Sequence, residues 1–353
     1  MKTAPLCLLA FLLAACLPTS MPLATPVASK TPSPTATIPM TASSIFELNR
    51  RLARTINLGN ALEAPNEGDW GVTLQESYFV GIAEAGFTAV RVPIRFSGHA
   101  GNDFPYTIDP RFFERIDWVV GNATRVGLTV ILDLHHHGEL FENPSGERMR
   151  FLALWQQIAA RYREVPDEQV FFEPLNEPNG KLTPAAWNEL FALVLPVLRA
   201  ENPTRPVIVD AAEWGNARAV PALELPADPN LILSFHYYEP FEFTHQGADW
   251  MDGSQAWLGT PWEGTPEQLT ILAQVFDPVA AWAEQENVPV FVGEFGTYEQ
   301  ADLGSRVRWT QAIRQAAEQR GFAWGYWEFC AGFGVYDPLA NRWRHELLQA
   351  LIP

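Results

Sequence analysis

Cysteine, basic charge and long apolar runs are all scarce in this chain of 353 residues. Its three cysteines, Cys7, Cys16 and Cys330, do not make a disulfide framework. Lys and Arg number 24 against 41 Asp and Glu, a formal charge of −17, so the positive footprint that nucleic-acid binding needs is missing. No apolar run reaches the length that spans a bilayer. Neither a GxGxxG nor a GxxxxGKS/T pattern occurs, which argues against a phosphate-cradling turn and a nucleotide cofactor. What remains is a globular, acidic composition suited to an exported protein with a neutral substrate. Thirteen Trp and 22 Phe are more aromatic surface than a core of this size requires, and such rings stack on the apolar faces of sugars.

The first residues read as a leader. Lys2 supplies a weak positive start, and Ala4 to Ala15 form a short apolar stretch, the pattern of a signal peptide over residues 1–15. Its ending, Leu13-Ala14-Ala15-Cys16, resembles a bacterial lipobox, which implies a lipidated Cys16 and a protein anchored to a membrane without spanning it. Residues 17–44 are dominated by Pro, Thr, Ser and Ala with almost no charge, the composition of a disordered tether. From Ile45 to Pro353 the composition is that of one folded body.

Length alone suggests two domains, but an α/β barrel uses about 250 residues as one. Eight apolar, β-branched runs favour the barrel: Thr55–Leu58, Ala89–Val92, Thr129–Leu134, Val170–Leu175, Val207–Asp210, Leu231–His236, Val290–Gly293 and Phe322–Trp327. Amphipathic stretches lie between them, including Arg111–Arg125, Arg148–Tyr162, Pro184–Ala200, Pro278–Glu286 and Ser305–Gln319. Strand alternating with helix implies parallel pairing with right-handed crossovers, and eight such units close a TIM barrel. The longest connection, between the sixth and seventh strands, carries Phe241, Trp250, Trp257 and Trp262 and reads as a wall of a groove.

Polar residues gather where these strands end, the place at which barrels do chemistry. Glu177 ends the run Phe171-Phe172-Glu173-Pro174-Leu175-Asn176-Glu177, and Glu294 ends Val290-Phe291-Val292-Gly293-Glu294. A carboxylate so placed must be held by partners, because burying it alone costs too much. Two of them facing one cleft are the acid and nucleophile of a retaining glycosidase, with carboxyls about 5–5.5 Å apart. Around them stand Asn60 and Glu63 after the first strand and Arg91 on the second. Asp133-Leu134-His135-His136-His137 ends the third strand, His236-Tyr237-Tyr238 the sixth, and Trp327-Glu328 the eighth.

Taken in order, the Leu-Asn-Glu-Pro segment, the paired His135 and His136, His236-x-Tyr238 and the Gly-Glu-Phe-Gly segment resemble glycoside hydrolase family 5, the cellulase family. The resemblance covers about residues 45–353. Asn57 to Pro65, the Phe-Glu-Phe-Thr-His-Gln segment and Tyr326 to Cys330 carry a closer likeness to bacterial endoglucanases that also accept mannan. It implies that Glu177 is the acid/base and Glu294 the nucleophile, with Arg91 and Tyr238 stabilising Glu294. Asn176 would bind the sugar 2-hydroxyl, His135, His136 and His236 would orient carboxylates and hydroxyls, and Trp327 would stack beneath the sugar beside the cut. Asn60, Glu63 and Trp257 would bind sugars further out. Glu173 and Glu328 match no catalytic role, Asp133 reads as structural, and His137 as a loop residue.

Function then divides into alternatives. The first is retaining endo-hydrolysis of a β-1,4-glucan. A near alternative is a β-mannanase or an enzyme for glucomannan or mixed-linkage glucan, and a distant one is a surface polysaccharide-binding lipoprotein with a dead site. The His run with Asp133 raises a metallohydrolase, but adjacent strand residues point to opposite faces, so no metal and no cofactor is expected. The partner expected is a β-linked polysaccharide, with no nucleic acid, membrane contact only through a lipid, and a monomeric state.

Overall fold

The computed structural model describes residues 43–353. The leader at 1–15, the lipidated Cys16 and nearly all of the 17–44 tether lie outside the described residues. Ser44, at the end of the expected tether, belongs to the folded body. Its hydroxyl accepts from the Glu47 amide while the Glu47 carboxylate accepts from the Ser44 amide, a capping box that starts helix α1, Ile45–Arg50.

Eight parallel strands close into a barrel in sequence order. They are β1 Thr55–Asn57, β2 Ala89–Ile94, β3 Thr129–Leu134, β4 Val170–Glu173, β5 Val207–Asp210, β6 Leu231–His236, β7 Val290–Phe295 and β8 Ala323–Tyr326. Every one of their residues is buried, which is why they read as unbroken apolar runs. Helices α2 Glu76–Glu84, α3 Pro110–Arg125, α4 Pro144–Tyr162, α5 Pro184–Glu201, α6 Pro266–Glu286 and α7 Leu303–Gln319 cover the outside, and α8 His345–Leu351 closes the chain. The β5–β6 crossover departs from this plan, carried by a short 3-10 turn at Ala217–Ala222. Helix α6 begins well before the expected Pro278. The Thr265–Gln268 capping box starts it, and Leu272, Phe276, Val279 and Ala283 bury one face straight past that proline. A small hairpin, β9 Tyr336–Asp337 with β10 Arg342–Trp343, follows β8.

The barrel interior is layered. Ala89, Ile131, Phe171, Ile208, Ile232, Phe291 and Ala323 form an apolar floor, sealed by Ile45, Leu48 and Leu52. Two residues further along each strand, on the same inward face, stand Asn57, Arg91, Asp133, Glu173, Asp210, Ser234 and Gly293. An almost wholly polar layer thus rests on an apolar one, and the cleft opens directly above it. Among the described residues, no helix is long and apolar enough to cross a membrane.

Candidate active site

A cleft of about 1230 Å³ opens at the strand exits and is lined by Glu177, Glu294, Asn60, Glu63, His135, His136, His236, Tyr238 and Trp327. The two glutamates face each other. Each offers an oxygen within 4.8 Å of the other's and of a His236 ring nitrogen. That is the narrow spacing of a retaining pair, since an inverting pair needs roughly 6.5–9.5 Å to admit a water.

Arg91 holds Glu294. Its guanidinium is fully buried and donates to Glu294 Oε1 at 2.7 Å, Asn176 Oδ1 at 2.7 Å and Asn57 Oδ1 at 3.0 Å. Glu173 grips the same group in a bidentate pair, at 2.8 Å from Nε and 2.6 Å from Nη2, and Asp133 lies 3.0 Å from Nη2. The Tyr238 hydroxyl donates to Glu294 Oε2 at 2.7 Å. Burial alone would raise the Glu294 carboxyl. The charges of His236 and Arg91 and the Tyr238 hydroxyl outweigh it and hold the group down at about 2.

Glu177 is set differently. It sits at φ +46° in the left-handed region, with its amide donating to Asp210 Oδ2 at 3.0 Å and its Oε1 2.8 Å from His236 Nδ1. Burial pushes its carboxyl up from the ordinary value. Contact with His236 opposes that, while the charge of Glu294 adds to it. One carboxyl is thus held ionised and its neighbour kept ready to carry a proton, the division that acid and nucleophile require.

The supporting residues mostly stand where the sequence puts them. His135 stacks flat on Trp327 at 5.4 Å and meets Asp133 Oδ2 through Nδ1 at 2.5 Å. Burial lowers His135 and His136 to about 3, so both rings are neutral and offer hydrogen bonds without charge. The Trp327–Glu328 peptide bond is cis.

Two readings need correction. Trp257 does not line the cleft; it stands edge-on behind Phe241, at 6.2 Å, and Trp250, further up the same loop, takes the wall position. Glu63 reaches the cleft but is 1% exposed, and its carboxyl is occupied by the amides of Asn60 and Ala61. Its carboxylate therefore fixes the turn that presents Asn60 to the cleft. Asp133, read as structural, holds Arg91 and His135 in place beneath the cleft. His137 is a loop residue as read, and its ring is buried against Glu147 at 3.2 Å. Residues not anticipated are Trp70 and Trp214, both exposed rings on the rim, and Glu173 and Asp210 beneath the glutamates. Trp214 follows β5 directly, so the strand-exit rule could have found it.

Carboxylate and imidazole donors converge twice among the described residues, at Glu177–His236–Glu294 and at Glu173–Asp210–His236. In the first set Glu177 already meets His236, and Glu294 is bonded to Arg91 and Tyr238. A guanidinium at 2.7 Å occupies the place a cation would take, so the arrangement reads as a proton-handling pair.

Comparison with known proteins agrees with this geometry. The family model described as cellulase, glycosyl hydrolase family 5, matches residues 55–332. Endoglucanase H of Acetivibrio thermocellus is 37% identical over 88% of this chain, and the chain spans 33% of that protein's length. The chain likewise spans 40% of the cellulase/esterase CelE of the same organism, at 29% identity over 88% of this chain. Among solved structures, endoglucanase Cel5A from the hyperthermophilic Thermotoga maritima is 48% identical, with TM-score 0.85, covering 88% of this chain and 100% of that one. The same enzyme has been solved with mannotriose and with cellobiose. With the barrel, the narrow carboxylate pair and the Arg91 network in place, this chain belongs to glycosyl hydrolase family 5.

Proposed function

We propose that this protein cleaves β-1,4-linked glucan within the chain, with retention of configuration, and that it also accepts mannan-type backbones. The observation that carries the reading is the pair of glutamates within 4.8 Å of each other, one held ionised and one with a raised pKa. Glu294 attacks the anomeric carbon from below while Glu177 gives its proton to the departing glycosidic oxygen. The bond to the leaving sugar breaks and a glycosyl ester of Glu294 forms. Water then enters, Glu177 takes its proton, and the ester opens to return the β-configuration. Asn176, fixed by Arg91 at 2.7 Å, is oriented to meet the 2-hydroxyl. Glucose and mannose differ at that hydroxyl alone, so tolerance there costs few contacts. The cellobiose and mannotriose complexes of the Thermotoga enzyme favour the same breadth here.

Reducing-sugar release from soluble cellulose, mixed-linkage glucan, glucomannan and mannan, measured side by side, tests this. Release from the first three with a smaller rate on mannan is expected. No release from any of them would leave a binding protein with an idle site. The export reading completes the proposal: Cys16 is lipidated and the protein acts at or beyond the cell surface. Mass spectrometry of the mature N-terminus should find a diacylglyceryl Cys16, and a free amine at another residue would contradict it.

A further inference from the structure

His236 is held more tightly than a substrate-binding ring requires. Its Nδ1 lies 2.8 Å from the acid/base Glu177 and 3.7 Å from Glu294. Its other nitrogen, Nε2, is 3.5 Å from Asp210 Oδ2, at ion-pair distance without hydrogen-bond alignment. Two glycines clamp the ring. A Cβ at Gly215 would come 2.9 Å from His236 Cγ, and one at Gly293 would come 2.8 Å from Nε2. His236 also lies in register with Glu294 across the β6–β7 ladder. Asp210 itself is wholly buried at the end of β5, and its Oδ2 accepts the amide of Glu177 at 3.0 Å. One carboxylate thus contacts both the backbone of the acid/base and the imidazole bonded to its side chain.

We propose that Asp210 is a positioning residue for the reaction: it fixes His236 and the left-handed backbone of Glu177 together, and through them aims the acid/base. The proposal rests on Glu177 being that acid/base. A non-glycine residue at φ +46° persists only where its surroundings hold it, and the Asp210 contact to its amide is such a hold. The same carboxylate does electrostatic work. Burial alone would drive His236 toward the neutral ring, but Glu294 and then Asp210 overcome it and raise the imidazole to about 10. The charged ring donates from Nδ1 and gives Asp210 a cationic partner. An isolated carboxylate with no exposure would otherwise be costly. The other groups around this ring are Glu177 from the β4 exit, Glu173 from β4, Glu294 from β7, and Asp133 and His135 from β3, with Arg91 beyond them. Asp210 is the member of this set at ion-pair distance from Nε2, 3.5 Å away.

Asp210→Asn keeps an acceptor for the Glu177 amide and removes the charge. Asp210→Ala removes both. In protein with 15N-labelled histidine, assigned against His236→Gln, the native His236 should stay protonated through pH 8. In Asp210→Asn it should titrate at least about one pH unit lower, a tenfold loss of proton affinity. On soluble glucan, kcat should fall about tenfold with KM within about twofold, the pattern of a misaimed catalytic group, and Asp210→Ala should fall further. An unchanged His236 titration together with native kcat in Asp210→Asn would overturn the proposal. If Asp210→Asn does not fold, the native titration decides: a neutral His236 at pH 7 overturns it, and a protonated one supports it. A native protein inert on every glucan and mannan would refute the hydrolase reading, and the titration would still judge the link from Asp210 to His236.

Discussion

Glu177 and Glu294 are chemically alike, and their surroundings drive their protonation in opposite directions. Glu294 is ionised above about pH 2 because the His236 and Arg91 charges and the Tyr238 hydroxyl outweigh its burial, whereas Glu177 keeps its proton above the ordinary carboxylate range because its burial prevails. The profile of kcat/KM should therefore be bell-shaped, rising as Glu294 ionises and falling only once pH exceeds the raised Glu177 value. A profile flat to pH 10 would remove Glu177 as the acid. Glu177→Gln and Glu294→Gln should each lower hydrolysis of soluble glucan by about 10²-fold or more. With a dinitrophenyl cellobioside, whose leaving group needs no proton, Glu177→Gln should still glycosylate and Glu294→Gln should not, and equal behaviour of the two would reverse the roles. Trp327, stacked on His135 at 5.4 Å, should lose about tenfold in kcat/KM on cello-oligosaccharides as Trp327→Ala, roughly the 1.4 kcal/mol of one contact. An unchanged value would place the ring in the core. The convergence of Glu177 and Glu294 was legible because a Glu at the exit of an apolar run is chemically out of place. Glu173 matches no catalytic role and Asp133 reads as structural, and period-two counting from Phe171 and Ile131 sets both on the inward face beside Arg91. Trp257 and Trp250 share one loop, and nothing in the spacing of an irregular segment says which ring turns to the cleft.

At the scale of elements, all eight strands were readable, since each is a short run buried on both faces. Helices with a clear apolar stripe were readable too. Helix α2 was not singled out: its N-cap position, Gln75, makes no side-chain hydrogen bond, and only Phe79 and Ile82 are buried. The β1 turn carries a consequence for stability. Burial lifts the Glu63 carboxyl from 4.5 to about 8, against the amides that oppose it, with Glu328 adding to the rise. Between those values the folded chain binds more protons at this site than the unfolded chain does. Its contribution to stability therefore falls as pH rises from about 4.5 to about 8 and levels off beyond. Glu63→Gln should flatten that decline, read as a smaller drop in urea midpoint between pH 5 and pH 9 than the native protein shows. Parallel declines in the two proteins would mean that Glu63 titrates normally.

For the whole molecule, a polar layer laid on an apolar one inside a closed barrel explains how so many buried carboxylates are tolerated. Arg91 answers Glu173, Asp133 and Glu294 at once, and His236 answers Glu177 and Asp210. The acidic surface and net charge of −17 leave that chemistry to a neutral polymer, which the rings of Trp70, Trp214 and Trp250 are exposed to meet. A retaining mechanism requires the two glutamates to stand close, and their oxygens approach within 4.8 Å, nearer than the roughly 6.5–9.5 Å an inverting pair needs to admit water. Proton NMR of the first product released from a β-linked cello-oligosaccharide measures this directly. The β-anomer should appear first, with the α-anomer following only by mutarotation, and an initial α-anomer would contradict the retaining mechanism.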